Sequence, residues 1–176
     1  ACRLAEAGLA AGGEPVALNA FLGMVWARAG DSPRAIGHLQ KAHSGRPNDV
    51  TITCNLIAAL IESGDISGAL DVATREFAFS DPSLRVARYR GFLAQSLERF
   101  PEAVEAYEHV VRHVPEDFES WNNLGNARSA VGDLEGSVAA LRTAMEIDPL
   151  APPTRLNLAI ALRALGQAAD AEALLH

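Results

Sequence analysis

The chain has 176 residues, of which 49% are hydrophobic and 21% charged, a composition typical of one folded domain and not of a disordered segment. Its formal net charge of -7 makes a nucleic acid a poor partner, and no apolar run approaches the roughly 18 residues of a membrane span. Aromatic residues are scarce at 6%, and the apolar content is mainly Ala and Leu, which favour helices.

Taken in chain order, the predicted elements are short helices that end at Gly-Asp pairs or at prolines. Glycine tolerates the left-handed conformation that ends a helix, and a proline stops the helix before it. These breaks recur every 34 residues, with Gly30, Gly64, Glu98, Gly132 and Gly166 in one column and Pro47, Asp81, Pro115 and Pro149 in another. Agreement between independent columns indicates an internal repeat built from two helices.

A further pair of columns predicts how the two helices of a repeat pack. One column contains leucine in every repeat except at Arg90. The next column contains glycine in three repeats, as Gly23, Gly91 and Gly125. A side chain at these glycines would be forced into the partner helix, at a cost of about 1–3 kcal/mol for overpacking. We therefore expect the three glycines to face a neighbouring helix.

The period divides the chain into a single domain of about eleven helices. Residues 1–15 are predicted to be a lone second helix, followed by full repeats and a partial fifth repeat, with the boundaries 16–49, 50–83, 84–117, 118–151 and 152–176. Because Glu76, Arg90 and Glu98 depart from the pattern, we expect an irregular joint around residues 74–90. The chain does not begin with Met, and we expect it to be a piece of a longer protein.

The repeat resembles the tetratricopeptide repeat, whose pattern is W-x2-L-G-x2-Y, then A-x3-F, then P in 34 residues. The best-matching repeat supplies Trp121, Leu124, Gly125, Ser137, Leu141, Ala144 and Pro149. The resemblance implies an all-α solenoid of antiparallel helix pairs wound into a right-handed superhelix. It also implies that the first helix of each pair lines a concave groove, where Ala58, Phe92, Leu156 and Ile160 are among the expected lining residues.

Within this groove, asparagines share one column of the period. Asn55, Asn123 and Asn157 occupy it, with Tyr89 in the remaining position. An amide both donates and accepts hydrogen bonds, so a row of amides can pair with the backbone of an extended peptide. The column is similar to the asparagine ladder of the peptide-binding repeats in O-linked N-acetylglucosamine transferases. The alternative is that Asn is simply common in this column of the family.

Arginines form the second candidate feature of the groove. Arg85 and Arg88 share a helix face, and a guanidinium grips a carboxylate with a planar fork, so they are predicted to anchor an acidic or C-terminal residue. The alternative is pairing with Glu62 or Glu119 of neighbouring repeats. The only lysine, Lys41, lies outside the groove, which argues against the carboxylate clamp of some chaperone-binding relatives.

The sequence thus predicts a non-enzymatic scaffold for protein–protein interaction that binds a peptide or protein segment in the concave groove. The predicted peptide-binding residues are Asn55, Arg85, Arg88, Tyr89, Asn122, Asn123, Asn126 and Asn157. No catalytic residue, cofactor or metal site is predicted, because His109 and His113 alone supply too few ligands. The alternative is that these repeats form an arm of a larger bacterial enzyme of the glycosyltransferase or sulfotransferase type.

Two further expectations concern the surroundings of the protein. Cys2 and Cys54 are interpreted as shielded thiols, which favours a reducing, cytoplasmic compartment, with the periplasm as the alternative. The terminal helices lack the polar caps that end repeat arrays, so end-to-end self-association is predicted.

Overall fold

The computed structural model describes residues 2–174, apart from the side chains of residues 2, 5 and 6, and contains only helices and their connections in that range. The helices are α1 (Cys2–Ala10), α2 (Pro15–Arg28), α3 (Ser32–Gly45), α4 (Val50–Glu62), α5 (Ile66–Val72), α6 (Arg75–Ser80), α7 (Arg85–Ser96), α8 (Phe100–His113), α9 (Phe118–Ala130), α10 (Leu134–Ile147), α11 (Pro152–Ala164) and α12 (Ala168–Ala173). The predicted all-α class is confirmed. The chain divides into two compact units, residues 1–89 and 90–176, which are described separately.

The Gly-Asp pairs end one helix and begin the next. Gly30 and Gly132 adopt φ values of 76° and 86°, a conformation that residues with a β-carbon rarely take. The aspartate that follows caps the next helix, since Asp31 Oδ1 accepts a hydrogen bond from Arg34 N at 3.1 Å. Asp133 Oδ1 accepts one from Gly136 N at 3.0 Å in the same way. The pair therefore sets the tight turn within a repeat.

In residues 1–89, helices α2 and α3 pack side by side, and Gly23 lies against the buried side chain of Leu39. The second helix predicted for residues 50–83 is broken into α5 and α6, which is why twelve helices are described instead of about eleven. Ala73 leaves the helical conformation with ψ of 60°. Thr74 then starts a new helix, its hydroxyl accepting a hydrogen bond from Phe77 N at 3.3 Å. This break lies at the edge of the joint predicted to be irregular.

In residues 90–176, α8 packs against α9, α9 against α10, and α10 against α11. Gly91 faces the ring of Tyr107, and Gly125 faces Leu141, so all three glycines of the column contact a neighbouring helix as expected. Arg90, which replaces leucine in its column, is buried and donates a hydrogen bond to Glu102 Oε2 at 2.6 Å. The exceptional arginine is therefore accommodated by an acidic partner on α8.

Candidate interaction surface on the first helices

The candidate sites lie on the first helix of each predicted pair and are described in each unit by itself: α2, α4 and the start of α7 in residues 1–89, and the rest of α7, α9 and α11 in residues 90–176. We call the exposed and half-exposed side chains of these helices the first-helix face. Within residues 1–89, α2 contacts α4 and the two helices enclose a cleft of about 210 Å³. The lining of the cleft consists of Met24, Ala27, Arg28, Leu39, Asn55, Ala58, Ala59 and Glu62. It is thus an apolar cleft with charged and amide groups among its lining residues.

The predicted arginine anchors, Arg85 and Arg88, lie at the start of α7, which belongs to the same unit. Arg85 is exposed, and its charge reaches Cys54 on α4, the residue next to Asn55. Burial raises the pKa of the Cys54 thiol, the charge of Arg85 lowers it, and Asp81 raises it again, with a net increase. The buried, protonated thiol matches the predicted shielded character of Cys54, while the side chain of Cys2 lies outside the described residues.

Arg88 and Tyr89 are half-buried on the following turn of α7. Arg88 Nη1 lies 3.4 Å from the carbonyl oxygen of Ser83, so part of its donor capacity is used within the unit. The amide of Asn55, in contrast, has no hydrogen-bond partner among residues 2–174. Asn55 and Arg85 therefore have more unused hydrogen-bonding groups on this face than Arg88 does.

The asparagines of residues 90–176 are largely engaged with each other and with neighbouring helices. Asn122 Oδ1 accepts from Thr154 Oγ1 at 3.1 Å and from Asn157 Nδ2 at 3.2 Å, which ties α9 to α11. The side chain of Asn123 is hydrogen bonded to the hydroxyl of Tyr107 on α8. Asn126 is half-buried, and its amide has no hydrogen-bond partner in the described part of the chain. Binding of a ligand by this column stays a prediction, and helix packing already uses part of its capacity.

Large apolar side chains are the feature of the face to which the sequence analysis gave no binding role. Phe21, Met24, Phe92, Leu156 and Ile160 are between 39% and 56% exposed, and all five belong to first helices. The repeat indicates this apolar position in the sequence, because Met24, Phe92 and Ile160 share one column. Successive members are 68 residues apart, which is two periods. The sequence predicts Phe92, Leu156 and Ile160 to line the groove, whereas its predicted binding contacts are all polar and none of them lies on α2.

His109 and His113 on α8 are the histidine pair considered as possible metal ligands. The rings of His109 and His113 are tilted by 48° with centroids 4.5 Å apart, and Nδ1 of His113 lies 2.8 Å from the carbonyl oxygen of His109. Burial, and then the charges of His113 and Arg112, lower the pKa of His109. Across residues 2–174 there is no group of three or more His, Cys, Asp or Glu side chains placed to hold a metal ion. Every helix described in that range is too short or too polar to cross a membrane.

Comparisons with known proteins agree with this architecture. Two models of the tetratricopeptide-repeat family match the chain, one over residues 90–152 and the other over residues 129–176. None of the curated proteins matches it. Together these matches cover the second unit, residues 90–176.

Solved structures match over nearly the whole chain. MamA 41-end from Desulfovibrio magneticus RS-1 has a TM-score of 0.79 at 20% identity, covering 93% of this chain and 92% of that chain. A second MamA crystal structure gives 0.81 at 16% identity over 92% and 88%. MamA AMB-1 gives 0.77 at 19% identity over 91% and 87%. At this level of identity the likeness concerns the fold.

Proposed function

Since the chain belongs to the tetratricopeptide-repeat family, we propose that it is an interaction scaffold that binds a segment of another protein along the first-helix face. The observation that supports this most is the distribution of exposed apolar side chains. Of the eight large hydrophobic side chains exposed among the described residues, five belong to the first helices. Removal of apolar surface from water is favourable by about 25 cal/mol per Å². Binding of a partner that covers these side chains therefore stabilises the complex.

Polar groups of the same face would orient the bound segment. In this proposal the amides of Asn55 and Asn126 pair with the backbone of the partner, because neither has a hydrogen-bond partner in residues 2–174. Tyr89 and the remaining capacity of Asn122, Asn123 and Asn157 add further contacts, and Arg85 and Arg88 supply charge. Apolar side chains thus provide most of the affinity, and the amides provide register.

The role requires no catalytic residue, so we propose a non-enzymatic protein or protein part. The alternative, an arm of a larger bacterial glycosyltransferase or sulfotransferase, assigns the same binding task to these repeats. In both cases the first-helix face is the surface to test.

The test compares partner capture by two matched double variants. Met24→Glu/Ile160→Glu places two carboxylates among the exposed apolar side chains of the face. Gln40→Glu/Ala139→Glu makes the same change of charge at exposed positions of the second helices α3 and α10. Each purified protein is cross-linked in an extract of its source cells, and captured proteins are quantified by mass spectrometry.

We expect the first-helix variant to capture at least about tenfold less of one or more proteins, equivalent to a loss of ~1.4 kcal/mol or more in binding free energy. The second-helix variant should retain them. A captured set that responds equally to both variants, or to neither, contradicts the proposal. Circular dichroism of both variants establishes that they are folded.

A further inference from the structure

We infer that the segment bound by residues 1–89 is acidic as well as apolar, an inference that rests on the proposed function. The first observation is an unequal distribution of charge in a chain whose net charge is -7. Only two of the 22 acidic residues, Glu62 and Glu119, lie in the first helices. Seven of the 15 basic residues lie there, namely Arg28, Arg85, Arg88, Arg90, Arg128, Arg155 and Arg163. The helices that carry the exposed apolar side chains are therefore basic in an otherwise acidic protein.

Pairing within the protein removes some of these charges but leaves Arg28, which lines the cleft, and Arg85 on α7. Arg90 is paired with Glu102, and Arg128 Nη2 donates to Glu108 Oε1 at 2.8 Å. Arg28 and Arg85 are exposed, and neither forms an ion pair with another residue in the range 2–174. An exposed arginine without an internal partner is free to grip a carboxylate of a ligand with its planar fork.

Within residues 1–89 the first-helix face carries Arg28, Arg85 and Arg88 against a single acid, Glu62. The unit as a whole has nine acidic and eight basic residues, so the excess of positive charge is confined to this face. Such a local field attracts acidic segments and repels basic ones. The complementarity selects an acidic partner.

The cleft between α2 and α4 supplies the apolar part of the recognition. Its volume of about 210 Å³ exceeds the ~150 Å³ of an apolar protein cavity that holds a benzene-sized group. Phe21 and Met24 are exposed on α2, and Ala58 belongs to the cleft lining on α4. A nucleic acid satisfies the arginines but leaves this cleft empty, whereas a peptide with acidic and aliphatic residues satisfies both.

The experiment presents three classes of short peptides to the purified protein on an array. The first class contains Glu, Leu and Ser in varied order. In the second class Lys replaces Glu, and in the third Ser replaces Leu. The strongest peptides of the first class are then labelled, and their affinity is measured in solution by fluorescence anisotropy at low and high salt.

We expect the acidic and apolar class to bind best and to lose affinity as salt rises, because the arginine contacts are exposed. Arg85→Glu/Arg88→Glu should raise Kd at least about tenfold. Arg28→Gln, a milder change, should raise it several-fold. Lys41→Glu, which reverses an exposed charge on the second helix α3, should leave Kd within about twofold.

Equal binding of the basic and apolar class overturns the inference while leaving an interaction scaffold intact. Equal binding of the acidic class without Leu also overturns it, because the cleft then contributes nothing. Failure of all three classes to bind rejects the inference as well. The proposed function fails as well only if, in the cross-linking test, capture of partner proteins does not depend on the first-helix face.

Discussion

Gly23 stands at the point where α2 comes closest to α3. A β-carbon built at this position contacts Leu39 Cγ and lies 2.9 Å from Leu39 Cδ2 and 3.2 Å from the carbonyl oxygen of Ala35. Leu39 is fully buried, so it has little room to move. We predict that Gly23→Ala lowers the free energy of unfolding by about 1–3 kcal/mol.

Gly37 provides the matched control on α3 of the same unit. A β-carbon there meets no atom within 4 Å, and the residue lies inside the helix. Gly37→Ala should therefore raise the free energy of unfolding by about 0.5–1 kcal/mol, since alanine restricts the unfolded chain and favours helix. Urea denaturation followed by circular dichroism measures both changes. Equal effects of the two substitutions would show that close packing does not explain the glycine at position 23.

Glu98 is the residue at which this chain departs from glycine in the turn column. It adopts φ of 57°, whereas the glycines at the other four turns have values from 76° to 86°. A left-handed conformation costs a residue with a β-carbon about 1–2 kcal/mol. We predict that Glu98→Gly stabilises the protein by ~1 kcal/mol and that Gly132→Ala, in the same unit, destabilises it by a similar amount. Thermal unfolding of both variants checks this, and a destabilised Glu98→Gly contradicts it.

Asp81 determines how the element α7 begins. Its buried carboxylate accepts hydrogen bonds from Ser83 N at 2.8 Å, from Ser83 Oγ at 2.7 Å and from Val86 N at 3.1 Å. Burial raises the pKa of Asp81, but the hydrogen bonds from Ser83, Val86 and Arg85 outweigh it and hold the pKa below its ordinary value. The ionised carboxylate is therefore favoured in the folded protein.

The sign of the pH dependence follows from this lowered pKa. The stabilisation is fully present above the unfolded pKa of about 3.9 and is lost as pH falls through the lower folded pKa. We predict that Asp81→Asn lowers the free energy of unfolding by about 1–3 kcal/mol at neutral pH. The deficit should shrink as pH falls below 4. Asp71→Asn, at an exposed position of α5, is the control, and a deficit independent of pH would disprove the role of the charge.

Helices that end at a glycine are the elements that the sequence predicts well. Gly30 and Gly132 end their helices by backbone conformation alone, so their neighbours are assigned correctly without tertiary information. The break between α5 and α6 escaped prediction because Ala73 and Thr74 include neither Gly nor Pro. Thr74 caps α6 with a hydroxyl that is equally common inside helices, and only the packing decides between the two uses.

The candidate site was predicted in part for a related reason. The period placed Asn55 and Asn157 on first helices, but it could not show that Asn157 donates to Asn122, since this bond joins two repeats. It also gave no measure of exposure, so the period predicts Ile160 only as a groove-lining residue and assigns no role to Met24. Residue type and spacing locate the face, whereas the division between packing and binding requires coordinates.

At the scale of the whole molecule, self-association is the expectation still open. Residues of α10, α11 and α12 and the following Leu174 line an open pocket of about 360 Å³, in which the half-buried Met145 and Leu174 lie beside the charged residues Arg142, Glu146 and Asp170. Leu150, in the connection between α10 and α11, is 84% exposed. Apolar surface of this kind is covered by association when a complementary surface is available. We predict that the 176-residue chain self-associates as its concentration rises.

Charge and apolar burial oppose each other in this association. Two copies of a chain with net charge -7 repel each other, and salt screens that repulsion while leaving apolar burial intact. Sedimentation velocity should therefore show larger species at higher concentration and more of them at higher salt. Met145→Glu should reduce them, because it replaces an apolar group of the pocket by a third carboxylate beside Glu146 and Asp170. Val131→Glu, at an exposed apolar position after α9, should not. A monomer at every concentration and salt would show that the pocket is too small a surface to hold two copies together.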